Sequence, residues 1–309
     1  MTVRERFAIA GEFPVLRLGF GAMRITGNGI WGEPGDPAGA RAVLRRVIDL
    51  GVNLIDTADS YGPEVSERLI ADTLRPYPAH LAIATKGGFD RPGPGAWRPN
   101  GRPEHLRAAC EGSLRRLGLE RIALYQLHTV DPRVAFEESV GALAELRAEG
   151  KVRHVGLSNV SVEQIDRART IVPIASVQNR FSLSDRSSEA VLRRCAELGI
   201  AFICWAPLDR GALGRRSIVR SARAHDATPA QVALAWVLQR APVAIPIPST
   251  GSIEHLDENV GALAVELTAE EIEVLEHFRR PVADVLRRAA AKGGRGAGKL
   301  SRRIRRARP

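Results

Sequence analysis

The 309-residue chain has few cysteines, few aromatic residues and no long apolar segment. Its three cysteines, Cys110, Cys195 and Cys204, form no Cys-x-x-Cys pair, so we expect buried free thiols rather than a redox or zinc motif. The longest strongly apolar run, residues 200–208, is far shorter than the roughly 18 residues that a membrane span needs. The first residues are charged and have no apolar signal core, so we expect no export. We therefore expect a cytoplasmic protein without a membrane span.

The net charge of +10 is concentrated at one end of the chain. Residues 281–309 contain ten Arg and Lys residues against one acid, which leaves about +1 for the other 280 residues. Because this segment has almost nothing to bury, we expect a largely disordered basic tail after a folded unit at 1–280. Such a tail would bind polyanions non-specifically. It has no aromatic residues among its basic ones, which argues against the alternative of specific nucleic-acid recognition.

Short apolar runs alternate with longer amphipathic stretches eight times along the chain. Predicted helix ends carry glycine, and Ser161 and Thr228 stand at predicted helix starts. The predicted strands are residues 16–20, 53–56, 81–85, 122–127, 154–157, 176–178, 201–205 and 244–247. The predicted helices are residues 38–50, 64–75, 103–117, 134–149, 161–170, 187–198, 228–240 and 253–260.

Eight strand–helix repeats with nearly continuous apolar strands indicate an α/β fold with parallel strands covered by helices. A single (β/α)8 TIM barrel accommodates all eight repeats within about 280 residues. A doubly wound sheet is the alternative, but its dinucleotide fingerprint is incomplete, because no third glycine follows Gly19-Phe-Gly21. Ahead of the first strand, residues 6–16 predict a short β-hairpin, which we expect to cap the floor of the barrel.

In such barrels the functional residues lie at the C-terminal ends of the strands and in the loops that follow. Two of these loops, residues 23–37 and 87–101, are long and rich in Gly and Pro. They carry Trp31, Phe89 and Trp97, which we expect to wall a substrate pocket. Polar or aromatic side chains follow nearly every predicted strand: Asp56, Lys86, His128, Ser158, Asn159, Gln178, Asn179 and Trp205.

Asp56, Lys86 and His128 end three consecutive predicted strands, and Tyr61 follows Asp56 by five residues. Neighbouring parallel strands bring such ends to within about 5 Å of each other. A phenol has a pKa near 10, and one ammonium about 4 Å away supplies the roughly 4 kcal/mol that would bring it near 7. Each residue alone has an ordinary structural role, such as an Asp–Lys ion pair. Together they predict that Tyr61 protonates a carbonyl that receives hydride, with His128 polarising the carbonyl.

Several motifs resemble those of the aldo-keto reductase superfamily, between about Leu16 and Phe278. They are Gly51-Val-Asn-Leu-Ile-Asp-Thr-Ala-Asp-Ser-Tyr-Gly, Lys151-Val-Arg-His-Val-Gly-Leu-Ser-Asn, Ser176-Val-Gln-Asn, Cys204-Trp-Ala-Pro-Leu-Asp-Arg-Gly and Ile245-Pro-Ile-Pro-Ser-Thr. The first loop, Leu18-Gly-Phe-Gly-Ala-Met, is most similar to the pyridoxal-reductase-like bacterial branch. The resemblance implies Tyr61 as the general acid, Lys86 and Asp56 as the residues that tune it, and no metal.

The resemblance also implies a nicotinamide nucleotide site that extends across the mouth of the barrel. It places the carboxamide on Ser158, Asn159 and Gln178, and the nicotinamide ring on Trp205. The cofactor-binding residues that it implies are Met23, Asp56, Ser158, Asn159, Gln178, Trp205, Ala206, Pro207, Leu208, Arg210, Gly211, Ser249, Thr250, Ser252, His255, Glu258 and Asn259.

NADPH is the cofactor that the resemblance implies, with NADH as the alternative. Members that prefer NADPH often have Lys or Arg where this chain has Gly251 and His255, so we expect a weaker preference here. Arg180, which follows the carboxamide Gln178, departs from the usual acidic or polar residue and has no interpretation from the sequence. The expected activity is reduction of an aldehyde or ketone, with a pyridoxal-like compound as one candidate. A nucleotide-binding redox sensor or partner subunit with little turnover is the alternative.

Overall fold

A computed structural model describes residues 6–208, 211 and 213–276. The predicted basic tail at 281–309 and the predicted cofactor residue Arg210 therefore lie outside the described residues. Strands β1 (Arg6–Ile9) and β2 (Phe13–Leu16) form an antiparallel hairpin. Ile9 and Val15 are buried in the cluster that fills the barrel interior. The hairpin that caps the barrel floor is thus confirmed.

The remaining strands form the barrel and one small ribbon beside it. They are β3 (Phe20–Gly21), β4 (Leu54–Asp56), β5 (Ala82–Gly87), β6 (Phe89–Asp90), β7 (Arg98–Pro99), β8 (Ile122–Leu127), β9 (Val152–Ser158), β10 (Ile174–Arg180), β11 (Ala201–Trp205) and β12 (Ala244–Pro246). Strands β6 and β7 pair with each other in antiparallel fashion. The other eight are parallel neighbours in the order β3-β4-β5-β8-β9-β10-β11-β12. The predicted (β/α)8 barrel is confirmed.

Two glycines allow the barrel to close between its first and last strands. The backbone N–H of Gly19 donates to the carbonyl of Pro246 at 3.0 Å, and that of Gly21 to the carbonyl of Pro248 at 3.3 Å. A Cβ on Gly19 would lie 2.9 Å from the Ile247 side chain, and one on Gly21 would lie 2.8 Å from the Ile247 carbonyl. Glycine is needed here because the two strands approach so closely.

The helices cover the outside of the barrel and begin and end largely where the capping signals predict. Both Ser161 and Thr228 form complete capping boxes, and Gly118 and Gly199 are left-handed C-caps. The helices are α1 (Pro37–Asp49), α2 (Val65–Leu74), α3 (Pro103–Leu117), α4 (Phe136–Ala148), α5 (Val162–Arg169), α6 (Glu189–Leu198), α7 (Arg216–Ala224), α8 (Pro229–Arg240), α9 (Ile253–Gly261) and α10 (Ala269–Glu276).

Five elements differ from the sequence prediction. Strands β6 and β7 lie within residues 87–101, which the sequence predicts as a loop. The first barrel strand begins at Phe20 and not at Leu16, because Leu16 ends β2 and pairs with Arg6 in the hairpin. Helix α7 was not predicted, since its buried face is made of Ile218, Ser221 and Ala222 and so contains one large apolar side chain. Helix α10 was also not predicted, and within it only Leu275 is buried.

The three cysteines are buried free thiols, as the sequence predicts. Burial raises the pKa of Cys110 and of Cys195 to about 12, so neither thiol is a reactive thiolate at neutral pH. Within the described ranges, none of the helices is both long and apolar enough to cross a membrane.

Candidate active site

A buried ion pair lies at the carboxyl ends of two neighbouring strands. Lys86 Nζ donates to Asp56 Oδ2 at 2.6 Å and to the Thr57 carbonyl at 2.8 Å, and both charged side chains are almost fully buried. Burial lowers the pKa of Lys86, but Asp56 and Tyr61 raise it by more, so the net pKa lies above its ordinary value. Lys86 is therefore positively charged at neutral pH.

Two buried glutamines donate hydrogen bonds to the other carboxylate oxygen of Asp56, Oδ1. Gln178 Nε2 donates to Asp56 Oδ1 at 2.7 Å, and Gln126 Nε2 donates to the same oxygen at 3.1 Å. The sequence analysis did not identify Gln126 as a site residue, although its spacing from His128 indicated that it is one. It stands two residues before His128 around the end of β8, and this spacing places both side chains on the same face of the strand.

Tyr61 lies in the loop between β4 and α2, beside the ion pair. Lys86 Nζ lies 5.1 Å from the centroid of the Tyr61 ring, and the centroids of Tyr61 and His128 are 5.8 Å apart. Burial raises the pKa of Tyr61 above its ordinary value, against the opposing effect of Lys86. The prediction that Lys86 brings this pKa near 7 is therefore wrong for this structure. The phenol keeps its proton at neutral pH, which is the form that a proton donor requires.

His128 is held in its neutral form. Burial lowers its pKa well below the ordinary value, and the charges of Lys86 and Arg91 lower it further. Its Nδ1 lies 3.3 Å from the Ser60 hydroxyl. A neutral imidazole carries one N–H donor, so His128 can donate a hydrogen bond to a carbonyl oxygen in the cavity.

Four of the predicted nicotinamide-binding residues form one hydrogen-bonded group. Ser158 Oγ donates to the Gln178 carbonyl at 2.8 Å, and Asn159 Nδ2 donates to the His128 carbonyl at 3.1 Å. Trp205 Nε1 donates to Asn159 Oδ1 at 3.1 Å. The indole is only half-buried and forms a flat wall of the cavity. The structure thus brings these residues together beside Asp56, as the sequence predicts.

Arg180 supports the indole of Trp205 from the neighbouring strand. The two residues are paired in register across β10 and β11, and the guanidinium carbon lies 5.5 Å from the ring centroid. Arg180 Nε also lies 3.0 Å from Asp185 Oδ2. The structure therefore gives Arg180 a role that the sequence alone did not indicate.

These residues surround a cavity of about 730 Å³, which meets a second one of about 470 Å³. Leu208 and Ser249 line both cavities, so the two together form an elongated groove. The predicted residues that line the first are Met23, Asp56, Tyr61, Phe89, Trp97, His128, Ser158, Asn159, Gln178, Trp205, Ala206, Pro207, Leu208, Gly211 and Ser249. Those that line the second are Leu208, Ser249, Thr250, His255, Glu258 and Asn259.

Besides the fully buried Lys86, two predicted site residues of the described chain are absent from the lining of both cavities. Ser252 begins helix α9, where its Oγ accepts the backbone N–H of His255 at 3.2 Å. Trp31 packs beside the guanidinium of Arg91 at 5.4 Å and forms a bridge with the backbone of Gly62. Both residues therefore shape the surroundings of the groove and do not face it.

Four rings form an aromatic cup at the mouth of the barrel: Tyr61, Phe89, Trp97 and His128. The centroid of His128 lies 4.8 Å from that of Phe89 and 6.2 Å from that of Trp97. The Trp97 centroid lies 5.3 Å from that of Phe89 and 6.5 Å from that of Tyr61. All four pairs meet edge to face. In the described part of the chain, no cluster of His, Cys, Asp or Glu could hold a metal ion.

Comparison with known proteins agrees with this geometry. The model of the Aldo/keto reductase family matches residues 17–280. The chain is 49% identical to an uncharacterised oxidoreductase of Schizosaccharomyces pombe, over 84% of this chain and 85% of that protein. It is 39% identical to pyridoxine 4-dehydrogenase of Escherichia coli, over 87% of this chain and 97% of the relative. An aldo/keto reductase from Klebsiella pneumoniae, solved with NADP and acetate, has a TM-score of 0.76 at 27% identity and covers 89% of this chain and 95% of its own.

Proposed function

The chain belongs to the Aldo/keto reductase family, and from that premise we propose that it is an NADPH-dependent reductase of an aldehyde or ketone. The observation that carries the proposal is the meeting of Lys86, Tyr61 and His128 at one end of an elongated groove. Tyr61, as the proton donor, and His128, as a hydrogen-bond donor, line the same cavity. Reduction of a carbonyl requires both of these, together with a hydride source.

The residues of the groove fit a nicotinamide nucleotide. Gln178 directs its Nε2 toward Asp56, which leaves its Oε1 to accept a hydrogen bond from the amino group of a carboxamide. Ser158 and Asn159 would bind beside it, and the exposed face of Trp205 would pack on the ring. The second cavity, with Thr250, His255 and Asn259, would take the adenosine end. The solved Klebsiella pneumoniae relative binds NADP, and this supports the assignment.

The proposed chemistry divides the work among three side chains. Bound NADPH would supply the hydride. Tyr61 would give its phenolic proton to the carbonyl oxygen as charge develops there, and the ammonium of Lys86 would stabilise the phenolate that remains. His128, neutral and holding one N–H, would donate to the same oxygen and orient the carbonyl. Asp56 would keep Lys86 charged and directed toward Tyr61.

We propose a flat, aromatic aldehyde as the substrate class, with a pyridoxal-like compound as the first candidate. The aromatic cup offers the faces and edges of Phe89 and Trp97 beside the two donors. Aromatic walls favour planar ring substrates over flexible polar chains. A relative that is 39% identical is named pyridoxine 4-dehydrogenase, which supports this choice.

Initial rates with NADPH and NADH across pyridoxal, aromatic aldehydes and aliphatic aldehydes test the proposal. We expect turnover with NADPH, and a higher kcat/KM for the planar aldehydes than for aliphatic ones of similar size. If the protein binds NADPH tightly but reduces none of these compounds, the alternative of a nucleotide sensor or partner subunit would replace the reductase.

A further inference from the structure

Arg91 connects three loops around the aromatic cup. Its Nη1 donates to the carbonyl of Ser60 at 2.5 Å, and its Nη2 donates to the carbonyl of Ile30 at 3.1 Å. Its Nε donates to the carbonyl of Ala96 at 3.0 Å. These carbonyls belong to the loop after β4, the loop after β3 and the turn between β6 and β7. One guanidinium therefore joins segments that are far apart in sequence.

The same guanidinium packs against two tryptophans. Its central carbon lies 3.6 Å from the ring centroid of Trp97 and 5.4 Å from that of Trp31. This close cation–π contact restrains the ring of Trp97, which forms one side of the aromatic cup. Burial lowers the pKa of Arg91, and no carboxylate in the described part of the chain opposes that effect. In the described residues, this partly buried cation is thus held by three backbone carbonyls and two aromatic rings, which offset the cost of its desolvation.

Each loop that Arg91 holds contributes to the site: Ser60 and Ala96 directly precede the cup residues Tyr61 and Trp97, and Ile30 lines the cavity. The hydroxyl of Ser60, whose carbonyl Arg91 binds, lies 3.3 Å from Nδ1 of His128. We propose that Arg91 is a positioning residue for the reduction. It holds the loop of Tyr61, the indole of Trp97 and the loop after β3 in one arrangement. A carbonyl compound in the cavity would then lie against both Tyr61 and His128. The inference rests on the proposed function.

The first test compares Arg91→Met and Arg91→Lys with wild type. Methionine keeps a long side chain without donors, and lysine keeps the charge but lacks the planar fork that reaches three carbonyls. We expect kcat/KM for the planar aldehyde to fall by about tenfold or more in both variants. The Kd of NADPH should change by less than about twofold, because Arg91 bonds to none of the proposed nicotinamide-binding residues. Arg98→Met, an exposed residue of the same ribbon, is the matched control and should behave as wild type.

The second test does not depend on activity. Hydrogen–deuterium exchange of Arg91→Met should rise together in residues 27–34, 57–64 and 91–98, while the barrel strands keep wild-type protection. If the wild type reduces no carbonyl, the proposed function fails and this measurement still decides whether Arg91 connects the loops. Two results would overturn the inference: exchange that rises in only one loop, or a folded Arg91→Met variant whose kcat/KM stays within about threefold of wild type.

Discussion

Gln178 Nε2 donates to Asp56 Oδ1 at 2.7 Å, so a residue proposed to bind the cofactor is bonded directly to the carboxylate that pairs with Lys86. Gln126, on β8, donates to the same oxygen at 3.1 Å. The other oxygen, Oδ2, accepts the hydrogen bond from Lys86. The nicotinamide site and the proton-donating site thus share one buried hydrogen-bond network, and cofactor binding is expected to influence the orientation of the ion pair.

The two glutamines are expected to have separable effects. In Gln126→Met, Asp56 loses one donor while the cavity walls remain, so kcat should fall several-fold with little change in the Kd of NADPH. In Gln178→Met, both the donor and the carboxamide partner are lost, so kcat should fall and Kd should rise. Fluorescence titration with NADPH, combined with steady-state rates, separates the two. Equal losses of NADPH affinity in both variants would contradict the distinction.

Tyr61→Phe is expected to abolish carbonyl reduction while leaving NADPH affinity nearly intact. In the proposed mechanism the hydroxyl acts on the carbonyl only in the transition state, and the ring that contacts Lys86 and His128 remains in the variant. Single-turnover reduction and equilibrium binding of NADPH check the two halves of this expectation. A variant that keeps more than about a tenth of the wild-type kcat, a loss below about 1.4 kcal/mol, would show that Tyr61 is not the acid.

Lys86→Met is expected to remove activity and also to destabilise the fold. The substitution leaves the buried carboxylate of Asp56 without its cation, which typically costs about 3–5 kcal/mol. Urea denaturation monitored by circular dichroism measures the loss. The double variant Asp56→Asn/Lys86→Met, which removes both charges, should be more stable than Lys86→Met alone. If the two variants are equally stable, the cost does not come from the unpaired carboxylate.

The strand ends could be predicted because the repeat of apolar strands and amphipathic helices is clear along the chain. Asp56, Lys86 and His128 follow directly from that pattern once the barrel is chosen. Gln126 was within reach as well, since it stands two residues before His128. Arg91 was not, because a single arginine in a Gly- and Pro-rich loop looks like any solvated charge. The direction of the Tyr61 pKa was also out of reach, since it depends on how deeply the phenol is buried.

Asp59 is expected to make the stability of the protein depend on pH. Burial raises its pKa from 3.8 to about 8, with a further contribution from Glu67, and its Oδ1 is buried without a hydrogen-bond partner in the described residues. The native state therefore keeps a proton that the unfolded chain loses at lower pH. Between these two pKa values the free energy of unfolding falls as the pH rises, and it levels off above about 8.

Asp59→Asn removes this ionisation while keeping the shape of the side chain. The variant should gain stability relative to wild type as the pH rises from 5 to about 8. Urea denaturation of both proteins at several pH values gives the difference, in which the other titrating groups cancel. Asp72→Asn, at an exposed position of α2, is the control. A difference that does not change with pH would refute the assignment.

Cofactor choice is expected to depend on the second cavity, whose described lining offers a phosphate hydrogen-bond donors but no Arg or Lys. A 2′-phosphate carries nearly two negative charges and is usually held by Arg or Lys. The residues described as lining this cavity include Thr250 and His255 but no Arg or Lys, and Glu258 adds a carboxylate. The relative solved with NADP supports NADPH over NADH for this chain, but we expect the preference to be weaker than in relatives with a basic residue at this position.

Two substitutions test this expectation from opposite directions. His255→Arg adds a fixed cation, and Glu258→Gln removes an acid, so each should lower the Kd of NADPH relative to that of NADH. The two changes should add when they are combined, unless the new arginine pairs with Glu258 in the single variant. Glu254→Gln, on the same helix but outside the described lining of the cavity, is the control. The ratio of the two dissociation constants is the quantity to measure. If the wild-type protein binds NADH more tightly than NADPH, the NADPH assignment is wrong, while the hydride chemistry proposed at Tyr61 would remain open to its own test.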